Sequence, residues 1–135
     1  MSGVFVDTYY HVGLLNPADQ YHQECLAHTQ SNKGPFVTTA WVLVEVANAL
    51  CDTTMRRNVV RFFEKLKLAP DLEIVPATMN WFDKGMSLYA ARTDKTWSLT
   101  DCISMEVMRE RGIQQVLTGD HHFTQAGFQI LFEAS

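Results

Sequence analysis

Four acidic side chains are the residues of this sequence whose positions could support chemistry. Two of them directly follow short apolar runs, and the other two lie near the start of segments with helical spacing. Clustered carboxylates repel one another and raise one another's pKa unless a positive charge lies among them. A hard divalent cation supplies such a charge, and oxygen ligands without a His or Cys pattern indicate Mg²⁺ or Mn²⁺ rather than zinc. The four acids are Asp7, Glu45, Asp101 and Asp120.

Each acid also has an ordinary structural explanation. Asp7 and Asp120 each follow a predicted strand and precede a predicted helix, so either could cap that helix. Asp101 is the fourth residue of Ser-Leu-Thr-Asp, which is close to a capping box. Glu45 differs, because it is the only charged residue from 40 to 50 and a carboxylate in apolar surroundings needs a partner or a metal. A single acid favours the structural explanation, whereas the set favours a metal site suited to phosphodiester hydrolysis.

The positions of the acids depend on a regular alternation of strands and helices. This alternation predicts an α/β/α arrangement around a central parallel sheet, because parallel strands are joined by crossover helices. Ligands of such sheets bind outside the carboxyl ends of the strands, an edge that all four acids can reach. The predicted strands are 4–6, 35–38, 72–75, 115–118 and 128–131, and the predicted helices are 9–15, 18–30, 40–51, 54–68, 78–92 and 98–111.

Local signals support three of these predictions and leave one open. Pro17 suits the first turn of the second helix, and Thr39 is a predicted N-cap for the helix 40–51, which is apolar almost all round. The segment 119–127 is short for a parallel crossover, so the direction of the fifth strand stays open. The helix 78–92 is predicted to be amphipathic, with an apolar stripe formed by Met79, Phe82, Met86 and Tyr89.

Composition and length predict one compact domain over residues 1–135, with 47% hydrophobic residues. The longest apolar stretch is too short to span a bilayer and no secretory signal is recognised, so we expect a cytoplasmic protein. Three cysteines without a C-x-x-C pair predict neither a disulfide framework nor a zinc site. They are interpreted as reduced core residues: Cys25, Cys51 and Cys102.

Charge is distributed unevenly. The net charge of −4 argues against indiscriminate binding of polyanions. The segment 55–67 nevertheless carries five basic residues and a single acid, Glu64. A solvated helix surface is the simpler explanation of such a run, and phosphate contact by Arg57 and Arg61, four apart on one helix face, is the alternative.

The chain carries, in this order, Val-Phe-Val-Asp7-Thr8, an isolated Glu45 in an apolar helix, Ser98-Leu99-Thr100-Asp101, and Thr118-x-Asp120-x-x-Phe123 followed by Gly127-Phe128. In order and spacing these motifs resemble the PIN-domain nucleases. The similarity is greatest to the bacterial toxin ribonucleases of the VapC type, and it extends from about residue 3 to residue 131.

The resemblance implies a central parallel sheet of about five strands in the order 3-2-1-4-5. It implies an Mg²⁺- or Mn²⁺-dependent endoribonuclease that acts on RNA and is the toxin of a toxin–antitoxin pair, forms a homodimer and is neutralised by a small cognate antitoxin. Thr8 and Thr118 occupy the family's hydroxyl positions beside the first and last acids. The metal ligands that it implies are Asp7, Glu45, Asp101 and Asp120.

Four further polar residues lie near these motifs. Asn48 follows Glu45 by three positions on the same helix face, so it either holds that carboxylate or packs. His121 and His122 invite a general-acid interpretation, but a helix-start or surface role is simpler because a metal mechanism does not require them. Asp94 is expected to be solvated and outside the set.

Two other functions remain open, and a third is disfavoured by the sequence. The first is a housekeeping RNA-processing nuclease of the same family. The second is a binding module without catalysis, whose acidic pocket captures a cationic partner, since an arginine among carboxylates would satisfy them as a metal does. The third, a haloacid-type phosphatase, requires a second Asp two residues after the first, where this chain has Tyr9.

Overall fold

The computed structural model of the protein describes residues 3–132. Five strands form one sheet in the order β3-β2-β1-β4-β5, and every neighbouring pair is parallel. The strands are β1 (Val4–Val6), β2 (Phe36–Thr39), β3 (Leu72–Val75), β4 (Gln115–Leu117) and β5 (Gln129–Ile130). The helices are α1 (Thr8–Leu15), α2 (His22–Ser31), α3 (Ala40–Ala49), α4 (Arg56–Leu68), α5 (Met79–Ala91), α6 (Leu99–Arg111) and α7 (His121–Gln125). The predicted α/β class and strand order are confirmed.

The central strand β1 is buried on both faces, as its continuous apolar sequence predicts. Phe5 belongs to the larger hydrophobic core, whereas Val4 and Val6 belong to the core on the opposite side of the sheet. Alternating side chains of one strand therefore supply both cores, which is the three-layer arrangement that the sequence predicted.

The fifth strand is parallel to β4, with Gln115 paired to Gln129. This pairing gives the direction that the sequence left open. The connection between the two strands contains α7, a helix of five residues. This helix reverses the chain within the short segment 119–127, because Gly127 takes a positive φ of 94° that a residue with a side chain rarely adopts.

The prediction that Pro17 begins the second helix is wrong. Pro17 lies in a turn, and α2 starts at His22. The Asn16 carboxamide oxygen accepts a hydrogen bond from the backbone N–H of Ala18, and Asp19 does the same for Tyr21. These side-chain turns offer the backbone an alternative to the helix, so the helix begins later.

The apolar stripe predicted for α5 does not face the core. Met79 is 66% exposed and Tyr89 is 50% exposed, whereas Trp81 and Gly85 are buried. A Cβ placed on Gly85 would lie 2.2 Å from the Ile103 side chain on α6, so the glycine lets the two helices pack closely. The small residue, rather than the large apolar ones, therefore determines which face of α5 is buried.

The helix α3 is apolar almost all round in sequence, and its Val44 is 55% exposed. One expectation of burial is corrected. Cys51 is exposed, whereas Cys25 and Cys102 are buried and free as expected. Within the described part of the chain, no helix has the length and apolar character needed to cross a bilayer.

Candidate active site

The four acids approach one edge of the sheet from different elements. Asp7 directly follows β1 and Asp120 lies beyond the end of β4, the two strands that pair at the centre of the sheet. Glu45 lies on α3, which continues directly from β2, and Asp101 lies in the first turn of α6. Strand order reverses at β1, and a crevice at such a switch point is where ligands bind in open parallel sheets.

Asp7 has no capping role, although its position allows one. It is 3% exposed and precedes α1 at the N-cap position, yet its side chain makes no capping hydrogen bond. Its Oδ2 instead accepts a hydrogen bond of 2.8 Å from the Thr118 hydroxyl. The structural explanation for Asp7 therefore does not apply, and the buried carboxylate needs another purpose.

Burial raises the pKa of Asp7 to about 7, and the negative charges of Asp101 and Glu45 add to the shift. Hydrogen bonds from the Thr8 backbone and the Thr118 side chain oppose it. Asp7 thus lies within electrostatic reach of two of the other acids, and their charges disfavour its ionised form.

Thr118 connects the first and last acids. While its hydroxyl donates to Asp7, the same oxygen accepts a hydrogen bond of 3.1 Å from the Asp120 backbone N–H. Asp120 in turn caps α7, because its Oδ1 accepts the His122 backbone N–H at 2.9 Å. The fully buried Thr118 therefore holds the Asp7 carboxylate and the backbone of Asp120 at the end of β4.

Glu45 is held by the other predicted hydroxyl. Thr8 donates a hydrogen bond of 2.6 Å to Glu45 Oε1, linking residues that are 37 positions apart. Because Thr8 directly follows Asp7, this bond fixes α3 to the end of β1. The Oε2 atom accepts no hydrogen bond from residues 3–132, so it is free to bind a ligand.

Asp101 has a structural role and lies in the acidic group as well. It forms a full capping box with Ser98, accepting the Ser98 backbone N–H on Oδ2 at 3.1 Å. Burial raises the pKa of Asp101 and the charge of Asp120 raises it further, while contacts from His122 and Ser98 oppose the shift. The capping box therefore accounts for only one oxygen of a carboxylate that also contributes to the crowded site.

His122 is a site residue that the sequence interpretation assigned to the helix start or the surface. Its Nδ1 lies 3.1 Å from Asp101 Oδ2 and 3.3 Å from Asp120 Oδ1. Ligand atoms of these three residues lie within 4.8 Å of one another, a group that could hold a metal ion. In the sequence, His122 follows Asp120 by two positions at the start of α7, and this spacing could have indicated that the two side chains lie together. His121 is exposed.

The remaining candidates lie outside this hydrogen-bonded group. Asn48 is exposed, and no hydrogen bond joins it to Glu45 in the described part of the chain. Asp94 forms two hydrogen bonds with Arg92 and so is paired rather than simply solvated. Arg57 and Arg61 are exposed on α4, without an ion pair to a site carboxylate among residues 3–132.

Tyr9 is a second neighbour of the acids that the sequence did not single out. It is 39% exposed and packs edge-on against Tyr21 at a ring separation of 5.6 Å. Burial raises the pKa of its hydroxyl, and the charge of Asp120 raises it further, as do those of Tyr21, Asp7 and Asp101. The acidic group therefore has a partly exposed aromatic side chain beside it.

A family profile for the PIN domain matches residues 4–129. The chain belongs to the PIN domain family. The predicted family is thus confirmed, and the match spans every element from β1 into β5.

Three solved structures are similar to this PIN domain. Mycobacterium tuberculosis VapC20, described as a toxin that cleaves the sarcin–ricin loop, has a TM-score of 0.84 and 25% identity, with 93% of this chain and 95% of that chain covered. FitAcB from Neisseria gonorrhoeae has a TM-score of 0.66 and 16% identity, with 96% of each chain covered. DNA-bound VapBC from Salmonella typhimurium has a TM-score of 0.64 and 15% identity, with coverage of 96% and 97%. The sequence matches no curated protein.

The residues present fit a hard divalent cation. The donors at the sheet edge are carboxylate oxygens, with one imidazole, and carboxylates are the ligands that Mg²⁺ and Mn²⁺ prefer. Beyond the buried Asp7, one oxygen each of Glu45, Asp101 and Asp120 accepts no hydrogen bond from residues 3–132. The site thus has both the excess negative charge and the free oxygens that a cation requires.

The raised pKa of Asp7 predicts how its substitution changes stability without metal. Between about pH 4 and pH 7 the folded protein retains a proton that the unfolded chain releases, so Asp7 lowers the free energy of unfolding as pH rises. Asp7→Asn removes this dependence. In EDTA, we expect the difference in unfolding temperature, Asp7→Asn minus the natural protein, to increase from pH 4 to pH 8. Calorimetry measures both unfolding temperatures.

Other titrating groups are common to both proteins. Burial lowers the pKa of His11 to about 3, which destabilises the fold as the solution becomes acidic, but this contribution cancels in the comparison. Asp83→Asn, at an exposed position on α5, is the matched control and should show no such trend. A difference between Asp7→Asn and the natural protein that does not vary with pH would contradict the assignment.

Proposed function

We propose that this PIN domain is an Mg²⁺- or Mn²⁺-dependent endoribonuclease, the toxin of a toxin–antitoxin pair. Family membership supports a nuclease, and the fold matches VapC20 with a TM-score of 0.84. The observation on which the proposal depends is the buried Asp7, which caps no helix and faces the charges of Asp101 and Glu45. Such an arrangement reduces stability unless it binds a cation.

Asp7, Glu45, Asp101 and Asp120 would hold the cation, directly or through water. When bound, Mg²⁺ or Mn²⁺ supplies positive charge that lowers the pKa of a water molecule and offsets charge on the phosphate. Thr8 and Thr118 orient Glu45 and Asp7 through their hydroxyl hydrogen bonds. Such supporting contacts fix the direction of a ligand oxygen before substrate arrives.

Several partner and location assignments follow from the same proposal. We assign RNA as the substrate, a small antitoxin protein as the natural inhibitor, and a homodimer as the working assembly. The chain would act in the cytoplasm as one domain over residues 1–135. A small antitoxin reading frame next to this one would favour the toxin over a housekeeping RNA-processing nuclease, and sedimentation velocity measures the assembly.

Cleavage of RNA by defined variants tests the proposed chemistry. A sarcin–ricin-loop oligonucleotide is the first substrate to assay, because VapC20 is described as cleaving that loop. Thr118→Val removes the hydroxyl between Asp7 and Asp120 and should reduce the rate roughly 10- to 100-fold. Asp7→Asn should reduce it further, and Asp83→Asn should leave it unchanged.

The outcomes separate the competing functions. Equal cleavage by Asp7→Asn and the natural protein would remove Asp7 from the chemistry. If neither protein cuts RNA with Mg²⁺ or Mn²⁺ but an arginine-bearing peptide binds the acidic group, the domain is a binding module rather than a nuclease.

Metal binding has a readout that is independent of activity. A ligand that binds only the folded state stabilises it by about 2.7 kcal/mol at 100 times its Kd. Mg²⁺ or Mn²⁺ should therefore raise the unfolding temperature of the EDTA-treated protein at pH 8. Asp7→Asn should lose most of this increase, while Asp83→Asn retains it; an equal increase in all three proteins would place the ion elsewhere.

The basic helix α4 is assigned to phosphate contact. Arg57 and Arg61 are exposed and four residues apart. Each phosphate contact to a single strand adds roughly 0.7 to the slope of log affinity against log salt concentration. Arg57→Ala with Arg61→Ala should weaken RNA binding and reduce that slope by about 1.4. An unchanged slope in a salt titration would leave α4 as a solvated surface.

A further inference from the structure

A cleft adjoins the acidic group on the side of α5 and α6. It has a volume of about 820 Å³ and lies between the end of α5, the loop 93–98 and the start of α6. This volume is within the range of roughly 300–1,000 Å³ that is typical of small-molecule sites. The loop that lines the cleft also contacts the acidic group, so the two features share residues.

Two residues of the loop make that connection. The Thr96 hydroxyl lies 3.4 Å from His122 Nε2, on the opposite side of the ring from the nitrogen that faces Asp101. Ser98 lines the cleft and forms the capping box with Asp101. Thr96 and Ser98 therefore line the cleft and also contact residues of the acidic group.

The cleft combines an exposed aromatic ring with an available cation. Two residues of the apolar stripe predicted for α5 line the cleft with exposed side chains: Tyr89 is 50% exposed and Met86 is 38% exposed. Lys95 lines the cleft and forms no direct salt bridge among residues 3–132, although its charge contributes to the lowered pKa of Asp94. A π-face beside an unpaired ammonium group is the combination that binds a base and its phosphate in single-stranded nucleic acid.

The second cation of the cleft has a structural role. Arg92 forms two 3.0 Å hydrogen bonds to Asp94 and lies 4.9 Å above the ring of the buried Trp97. Trp97 in turn donates a 2.9 Å hydrogen bond to Gln125 on α7. These contacts hold the loop in place and leave Lys95 as the cation available to a ligand.

From this geometry we propose that the cleft is a nucleotide subsite for an unpaired residue of the RNA, adjacent to the cleaved bond. The base stacks on Tyr89, and the Lys95 ammonium contacts the phosphate. The inference rests on the proposed nuclease function and extends it, because it names the part of the substrate that this surface recognises. An RNA segment satisfies both the ring and the cation, whereas an apolar protein surface would leave Lys95 unpaired.

Binding of a fluorescein-labelled single-stranded RNA tests the subsite. The measurements use Asp7→Asn as the parent protein, so that the RNA stays intact, and follow fluorescence anisotropy at several salt concentrations. Tyr89→Ala should weaken binding roughly 5- to 100-fold, the range for removing one base-stacking partner. Lys95→Ala should weaken binding and lower the salt slope by about 0.7.

Two matched variants separate recognition from surface changes. Tyr89→Phe keeps the ring and should bind within about twofold of the parent, because stacking needs only the π-face. Lys33→Ala removes an exposed lysine from the loop before β2 and should leave both affinity and salt slope unchanged. Circular dichroism and sedimentation velocity of each variant monitor folding and assembly.

The subsite and the nuclease assignment fail in different ways. If the natural protein cuts RNA but Tyr89→Ala and Lys95→Ala bind like the parent, the subsite is wrong and the nuclease assignment stands. A change in sedimentation of Tyr89→Ala with unchanged RNA affinity also overturns the subsite, and makes the cleft a protein contact. If the two variants lose affinity while the natural protein cuts no RNA, the cleft stands as a binding site for an unpaired nucleotide, its place beside a cleaved bond is wrong, and the nuclease assignment fails.

Discussion

The burial of Asp7 at the end of the central strand is the constraint on which the site depends. An ionised carboxylate removed from water is unfavourable, and two further acids within electrostatic reach make it more so, which is why its pKa rises to about 7. The parallel order of β2, β1 and β4 brings this about, because it delivers the ends of three chain segments to one crevice. Thr8 and Thr118 then fix two of the carboxylates through hydrogen bonds that span 37 and 111 positions of the chain.

An acid of this site can cap a helix and also contribute to the acidic group. Asp101 and Asp120 both cap helices, as a reader of isolated motifs would expect. A helix N-terminus favours a negative charge, so capping holds these carboxylates at a defined place with part of their repulsion offset. Each cap accounts for one oxygen and leaves the other available. Asp7 is the exception that distinguishes this edge from an ordinary set of caps, because its side chain makes no capping hydrogen bond to α1.

Sequence patterns predicted the features that follow from strong local rules. The apolar runs at β1 and β4, the acids that follow them and the acid that opens α6 were visible, and the parallel edge then implied their convergence. Contacts that depend on tertiary packing were not visible. His122 meets Asp101 only because α7 folds back toward α6, and the buried face of α5 was decided by the fit of Gly85 against Ile103. Helical periodicity favours burial of the face that carries the larger apolar side chains. It therefore gives no reason for the exposure of Tyr89.

For the proposed RNA substrate, the charge of the protein is the remaining problem. The chain has a net charge of −4, and four acids lie near one edge of the sheet, so the average field of the protein does not attract a polyanion. Attraction must therefore come from local cations that are not already paired. Arg92 is engaged by Asp94 and Trp97, and Arg111 is engaged by Glu73, so both are committed to holding the fold. RNA binding would then depend on a few exposed basic side chains and on aromatic contact. The net negative charge of the protein would disfavour polyanions that cannot also supply an unpaired base.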